Sequence, residues 1–118
     1  PSLVARLPYD PVADFRAVAM IGATPQLFCV PPRLPAANLA EFVALIRANP
    51  GRYAFASAGV GSAIHVASLL FLAEAKAEML HVPYRGGGPA MQSVISGETQ
   101  LVMDPIASAA PHVKGGSV

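Results

Sequence analysis

The chain has 118 residues, enough for one domain with a real core. It is 53% apolar and 13% charged, where soluble domains average about 25% charged, so much of its surface is meant to be covered or it belongs to a larger body. A net charge of +1 with no Lys/Arg run excludes a nucleic-acid footprint, three scattered His exclude a metal constellation, and a single cysteine excludes an internal disulfide.

Pro1 to Asp14 carries the turn-prone Tyr9-Asp10-Pro11 and reads as an irregular lead-in. Phe15 to Gly22 is an apolar run closed by a glycine and predicts a strand. Thr24-Pro25 breaks it, and Gln26 to Val30 predicts a second, nearly collinear strand. That pair reads as a segment crossing from one body to another. Cys29, within Leu27-Phe28-Cys29-Val30, reads as a buried small hydrophobe. Pro31 to Pro35 cannot be helical. Asn38-Leu39-Ala40-Glu41 has the form of a capping box, and the helix it opens ends at Asn49-Pro50-Gly51.

Tyr53 to Ala56 predicts a strand that runs into the small-residue turn Ser57-Ala58-Gly59-Val60-Gly61-Ser62. Gly59 and Gly61 let that backbone fold sharply or approach a ligand without a Cβ in the way. Ser62 suits the N-cap of a helix reaching Lys76, which is apolar nearly all round and so expected to be buried on more than one side. The turn is either a plain strand-to-helix connection or a cradle whose free N–H groups and helix dipole favour an anion. Met79 to Pro83 is the next strand. Tyr84-Arg85-Gly86-Gly87-Gly88 leads from it to a helix with Pro89 in the first position, ending at Gly97. Thr99 to Asp104 is a further strand, and Ser108 to Lys114 a short last helix.

Strand and helix alternating after Gln26 predict an α/β fold: a three-layer sandwich on a mostly parallel sheet, with helices on both faces. Ligands of such sheets sit at the carboxyl ends of the strands. Three strand exits there are chemically distinctive: Ser57 to Ser62, Tyr84 to Gly88 and Asp104-Pro105. Catalysis finds little support. Ser62 and His65 share a helix face without a nucleophile elbow, and the glycine spacing fits neither a dinucleotide fingerprint nor a P-loop, which leaves a phosphate-binding or nucleotide-binding enzyme domain the weaker alternative. His65 and His81 read as hydrogen-bonded core residues. No stretch of about 18 apolar residues marks a membrane span. The start at Pro1, without an initiator Met or a signal sequence, reads as that of a fragment.

Leu7 to Phe15, Tyr53 to His65, His81 to Ala90, Ser96-Gly97-Glu98 and Ala110 to Gly116 resemble, in order and spacing, the Bug-type solute-binding receptors. These are the extracytoplasmic receptors of tripartite tricarboxylate transporters. The resemblance implies one lobe of a type II periplasmic binding protein whose two lobes close on a small organic carboxylate. Residues 1–25 would be the lead-in and crossover strand from a missing first lobe. Residues 26–118 would be the second ligand-binding lobe, incomplete at its C-terminus. It further implies a periplasmic parent, membrane transporter subunits as partners, no enzymatic activity and no cofactor.

Ser57, Ala58, Gly59, Gly61 and Ser62 are then the expected carboxylate contacts, mostly through backbone N–H, directly or through water. Tyr84 is either a ring on the crevice wall or a packing residue under its loop. Gly86 and Gly87 let that loop approach a ligand, and Arg85 either pairs with a ligand carboxylate or is a solvated loop residue. Asp104 either accepts from a ligand amino or hydroxyl group or caps the helix after it. Two departures from the family pattern bear on ligand preference. Met103-Asp104-Pro105 stands where an aromatic-Asp-Asn run is common, and Pro105 offers no N–H. Ala63-Ile64 stands where small hydroxyl residues are frequent. The alternative is that a lobe alone lacks affinity and serves a structural role, and an uncovered hinge strand and interlobe face predict self-association.

Overall fold

The structure, a computed structural model, describes residues 6–118. Its elements follow the order β1 (Gln26–Cys29), α1 (Leu39–Ala48), β2 (Ala54–Ser57), α2 (Ala63–Ala75), β3 (Leu80–Pro83), α3 (Gly87–Ser96), β4 (Leu101–Pro105) and α4 (Ile106–Lys114). The strands form one sheet in the order β1-β4-β2-β3. β2 runs parallel to both neighbours, with Ser57 opposite Pro83 and Ala56 opposite Val102, while β1 runs antiparallel to β4. The α/β class, the mostly parallel sheet and the helices on both faces are as expected.

Strand side chains alternate between the two faces, and each face has its own core. Cys29, Ala56 and Val102 pack with Ala90, Met91 and Val94 of α3 and Ala109 of α4. Phe55 and Leu101 pack on the other face with Phe42 and Ile46 of α1 and Leu72 of α2. Phe28 meets Phe42 and Phe71 edge-on there, at centroid separations of 5.0 and 4.9 Å, an arrangement the ring quadrupole favours. Asn38 caps α1 as its sequence predicts, but Glu41 returns its bond to the Ala37 N–H and the Asn38 side-chain amide rather than to the Asn38 N–H. Asn38 Oδ1 accepts from the Glu41 N–H at 3.0 Å, and Glu41 Oε2 accepts from the Ala37 N–H at 2.8 Å.

Three expectations need correction. Phe15 to Gly22 is not a strand; residues 11–25 are exposed and unladdered. Apolar composition alone cannot hold an extended segment, because a strand needs a neighbour for its N–H and C=O groups. The expected lead-in lies partly outside the described residues. Within them, Asp10 makes an Asx-type turn, its Oδ1 accepting from the Val12 and Ala13 N–H groups, and these bonds hold its carboxyl below the usual range. Second, α2 is not buried on more than one side, since Val66, Leu69 and Leu70 are exposed. β3 is the sheet edge, and no described element covers the flank of α2 beyond it. Third, Pro89 is the third helical residue of α3 rather than the first. It costs no bond there, since the first turn's N–H groups lack helical partners.

Cys29 is 2% exposed. Burial, and then the negative charge of Asp104, push its thiol up to about 11. A thiol reagent at pH 8 is therefore expected to leave Cys29 unmodified in the folded chain and to react at the rate of global opening. Rapid stoichiometric labelling without denaturant would contradict this placement.

Candidate functional site

The carboxyl ends of β2, β3 and β4 lie along one edge of the sheet, where α2, α3 and α4 begin. The order of connection reverses between β2 and β4: the chain passes from β2 to β3 on one side and returns to β4 on the other. In α/β sheets such a reversal opens a crevice at the strand ends.

The β2 exit is held by its own polar groups. Ser57 is fully buried. Its Oγ accepts from the Gly59 N–H at 3.1 Å, donates toward the Gly59 carbonyl at 3.2 Å and lies 2.7 Å from His81 Nε2. The Tyr84 N–H donates to the Ser57 carbonyl at 2.9 Å, tying the β3 exit to the same point. Gly59 has φ +118, a conformation that L side chains rarely adopt. The Gly61 N–H donates to His65 Nδ1 at 3.1 Å, and Ser62 caps α2, its Oγ accepting from the His65 N–H at 3.2 Å.

These bonds redistribute the expected donors. The amides of Gly59 and Gly61 and the hydroxyls of Ser57 and Ser62 are committed inside the loop. Among the described residues, the amides of Ala58, Ala63 and Ile64 have no partner within the chain. The sequence marked Ala63 and Ile64 as a departure from the family pattern, not as donors. The signal was present, since an N-cap at Ser62 leaves the next two amides unpaired by construction. With the α2 dipole behind them they form a patch of positive potential beside the loop.

The β3 exit is built from Tyr84, exposed Arg85 and Gly86. Tyr84 is a packing residue: its ring lies against the core shared with α3 and α4. Its hydroxyl is buried and meets no partner among the described residues. Gly86 has φ +118 and caps α3. Gly87 opens that helix, and a Cβ there would stand 3.3 Å from Asp104 Oδ1 and 3.6 Å from Ile64 Cδ1. Asp104 is 3% exposed. Its Oδ2 accepts a short hydrogen bond from Ser108, whose hydroxyl also reaches the Pro105 carbonyl at 2.9 Å. Asp104 thus braces the first turn of α4 through Ser108, while the N-cap position itself falls to Pro105. Its second oxygen sits against the N-terminus of α3, so this chain supplies the anion that helix end attracts.

His65 and His81 are core residues with hydrogen bonds, as expected. Their rings stack at 4.1 Å, with Phe55 4.9 Å from His81. A concavity of about 760 Å³ lies at the opposite edge of the sheet between Pro32, Tyr53, Gly97 and Gln100. None of the distinctive strand exits reaches it.

The glycines separate by environment. Gly59→Ala places a Cβ at φ +118 and is expected to cost about 1–3 kcal/mol. Gly88→Ala, with no atom within 4 Å of the added carbon, is expected to be neutral or stabilising by up to about 1 kcal/mol. Urea melts of the two variants check the pair. Equal losses would mean that the loop is not strained where the backbone says it is.

Comparison with known proteins places this geometry. A family model described as the tripartite tricarboxylate transporter family receptor matches residues 1–118. A protein encoded in the tcbD–tcbE intergenic region of Pseudomonas sp. strain P51 is 38% identical over 103 residues, covering 87% of this chain and 31% of the relative. Among solved structures, R. palustris Rpa4515 with adipate superposes with a TM-score of 0.85 at 27% identity, covering 98% of this chain and 38% of that one. MatC from Rhodopseudomonas palustris with bound malate gives a TM-score of 0.77 at 29% identity, covering 80% and 32%. The chain therefore spans about a third of the length of the proteins it matches. The family expected from the motifs is the one found, the four-stranded mixed sheet with helices on both faces is one lobe of the type II binding-protein architecture, and the chain belongs to the tripartite tricarboxylate transporter receptor family.

Proposed function

We propose that this chain is a ligand-binding lobe of a periplasmic solute-binding receptor. The receptor would capture a small organic carboxylate, without chemical conversion, and present it to membrane transporter subunits of the tripartite tricarboxylate type. In this reading residues 26–118 form the lobe and the segment before them crosses to another. The observation that carries it is the cluster of uncommitted amides at the β2 exit: Ala58, Ala63 and Ile64, on the positive end of α2 and beside the open edge of the sheet. A carboxylate has two oxygens to satisfy, and backbone N–H groups on a helix end supply charge complementarity without a counter-ion. The crystal partners of R. palustris Rpa4515 and MatC, adipate and malate, are both dicarboxylates, which makes a dicarboxylate the first class to test.

The remaining predicted residues take distinct parts. Ser57, Gly59, Gly61 and Ser62 shape the cradle, fixing the path of the loop so that its uncommitted amides face the ligand. Gly86 and Gly87 keep the β3 exit low enough for a ligand to pass, and Tyr84 supports it from beneath. Asp104, buried with one oxygen on Ser108 and the other beside Gly87, serves as a brace where α3 and α4 begin.

Calorimetric titration with adipate, malate and citrate, on this chain and on a longer chain from the same protein, tests the reading. Saturable binding of a di- or tricarboxylate to the longer chain is expected, with weaker binding or none to this lobe. Silence of both toward every acid would overturn it.

One observation favours self-association of the isolated chain. Val18, Met20 and Ile21 are 96%, 88% and 103% exposed, an unpartnered apolar run of the kind that marks an interface. Sedimentation analysis is expected to show concentration-dependent dimers or larger species, shifted toward monomer by Val18→Ser with Ile21→Ser. A monomer at all concentrations would contradict it.

A further inference from the structure

Beneath the β2 exit loop lie two titratable rings that no contact to a ligand uses. His65 and His81 stack at 4.1 Å, and Phe55 closes the stack from β2. Each ring holds the loop at a different point. His65 Nδ1 accepts from the Gly61 N–H, while His81 Nε2 pairs with the Ser57 hydroxyl that in turn takes the Gly59 N–H. Both glycines of the cradle are thus pinned, directly or at one remove, by an imidazole.

The two bonds differ in how they answer a proton. The Ser57 hydroxyl both donates and accepts, so its pairing with His81 survives either tautomer. A backbone amide only donates. His65 Nδ1 must therefore carry its lone pair, which leaves the ring proton of the neutral form on Nε2. A proton added at Nδ1 turns that acceptor into a donor facing another donor, and the Gly61 bond is lost. The stacking adds a second penalty, since two imidazolium rings in contact repel.

We propose that His65 and His81 are positioning residues for the Ser57–Ser62 loop, holding it in shape for anion capture while the pair is neutral and releasing it on acidification. This rests on the carboxylate reading given above and adds its regulation. The surroundings do little to offset the effect. The charge that bears on His81 is that of His65. Lys76 and Glu78 share the groove beside His81 and oppose one another in charge. Arg85, past β3, is exposed. Asp104 lies on the opposite face of the sheet, with Leu27 and Val102. Burial, and then the charge of His65, lower His81 from its ordinary 6.5. A histidine lowered by folding stabilises the fold fully above its unfolded value, and that contribution is lost as pH falls below 6.5 and through the folded value.

The test reads the loop without a ligand. In the full chain labelled with nitrogen-15, the Gly61 amide proton is followed from pH 8 to pH 5 alongside the imidazole resonances of both histidines. The Gly61 shift is expected to move with the same midpoint as the His65 ring, and its exchange, corrected for the intrinsic pH dependence, to quicken about three- to tenfold. His65→Asn sets an amide oxygen near the place of Nδ1 that does not titrate, and it is expected to flatten the Gly61 response. A Gly61 amide that stays fixed while both rings titrate would overturn the proposal, as would an unchanged titration in His65→Asn. If that variant does not fold, the wild-type coupling of Gly61 to the His65 ring decides alone. Adipate binding by the longer chain is expected to weaken about three- to tenfold between pH 7.5 and 5.5. Adipate that binds at neither pH counts against the carboxylate reading, while Gly61 still decides the proton response.

Discussion

The hydroxyl of Ser57 is the joint on which the rest of the site depends. β2 lies inside the sheet, with β4 on one side and β3 on the other, so the ladder uses its backbone groups and both faces are buried. Phe55 and Ala56 are 1% and 0% exposed. A strand so enclosed acts only where it ends. Ser57 ends it with one buried hydroxyl that faces His81, the Gly59 amide and the Gly59 carbonyl together. Without them the Ser57 hydroxyl, 0% exposed, would be buried unpaired, at a cost of about 1–3 kcal/mol. The loop therefore has one low-energy path out of the sheet, and that path aims the start of α2 at the open edge.

Charge then distinguishes the helix ends that share the edge. All three helices following β2, β3 and β4 present their positive termini there. The N-terminus of α3 is met by the Asp104 carboxylate, which Ser108 holds in place. The N-terminus of α2 has a neutral cap in Ser62 and no acidic residue in its first turn. An incoming carboxylate is thus repelled from one helix end by a charge the chain already carries and drawn toward the other. Gly87 is the condition for this arrangement, because any side chain there would press on the carboxylate.

Most of the fold was legible because local signals and tertiary demands agree. Asn38 and Glu41, Ser62, and the glycine at 97 mark helix ends by chemistry that needs no partner from elsewhere. The stretch from Phe15 to Gly22 shows the opposite case. Its composition suits a strand, yet a strand exists only through its neighbour, and no sequence window contains the neighbour. The misjudged burial of α2 has the same origin: an all-apolar helix states that something should cover it, not that this chain does so. Of the site, the edge and the loops were legible from the order of elements. The commitment of the Gly61 amide was not, because it depends on the ring of His65, one helical turn away, nor was the bond that fixes the Ser57 hydroxyl, whose partner His81 lies 24 residues on.

A lobe of this kind offers a ledge rather than a cavity, and the hollow between Pro32, Tyr53, Gly97 and Gln100 lies at the wrong edge to serve it. The physical consequence concerns selectivity. Backbone amides on an open edge favour any small anion, since they read charge and not shape. Shape must then be read by what closes over the ledge. In a two-lobed receptor the opposing lobe does this, converting weak general attraction into enclosure, where each hydrogen bond strengthens as water leaves. The same reasoning explains why the loop is pinned so thoroughly from below. On the proposed reading, a ledge that meets its ligand before the cleft closes gains nothing from flexing to fit. Preorganised donors lose no ordering entropy at the moment of capture, so the stability of the Ser57–His81 and Gly61–His65 bonds is spent in advance on the shape of the cradle.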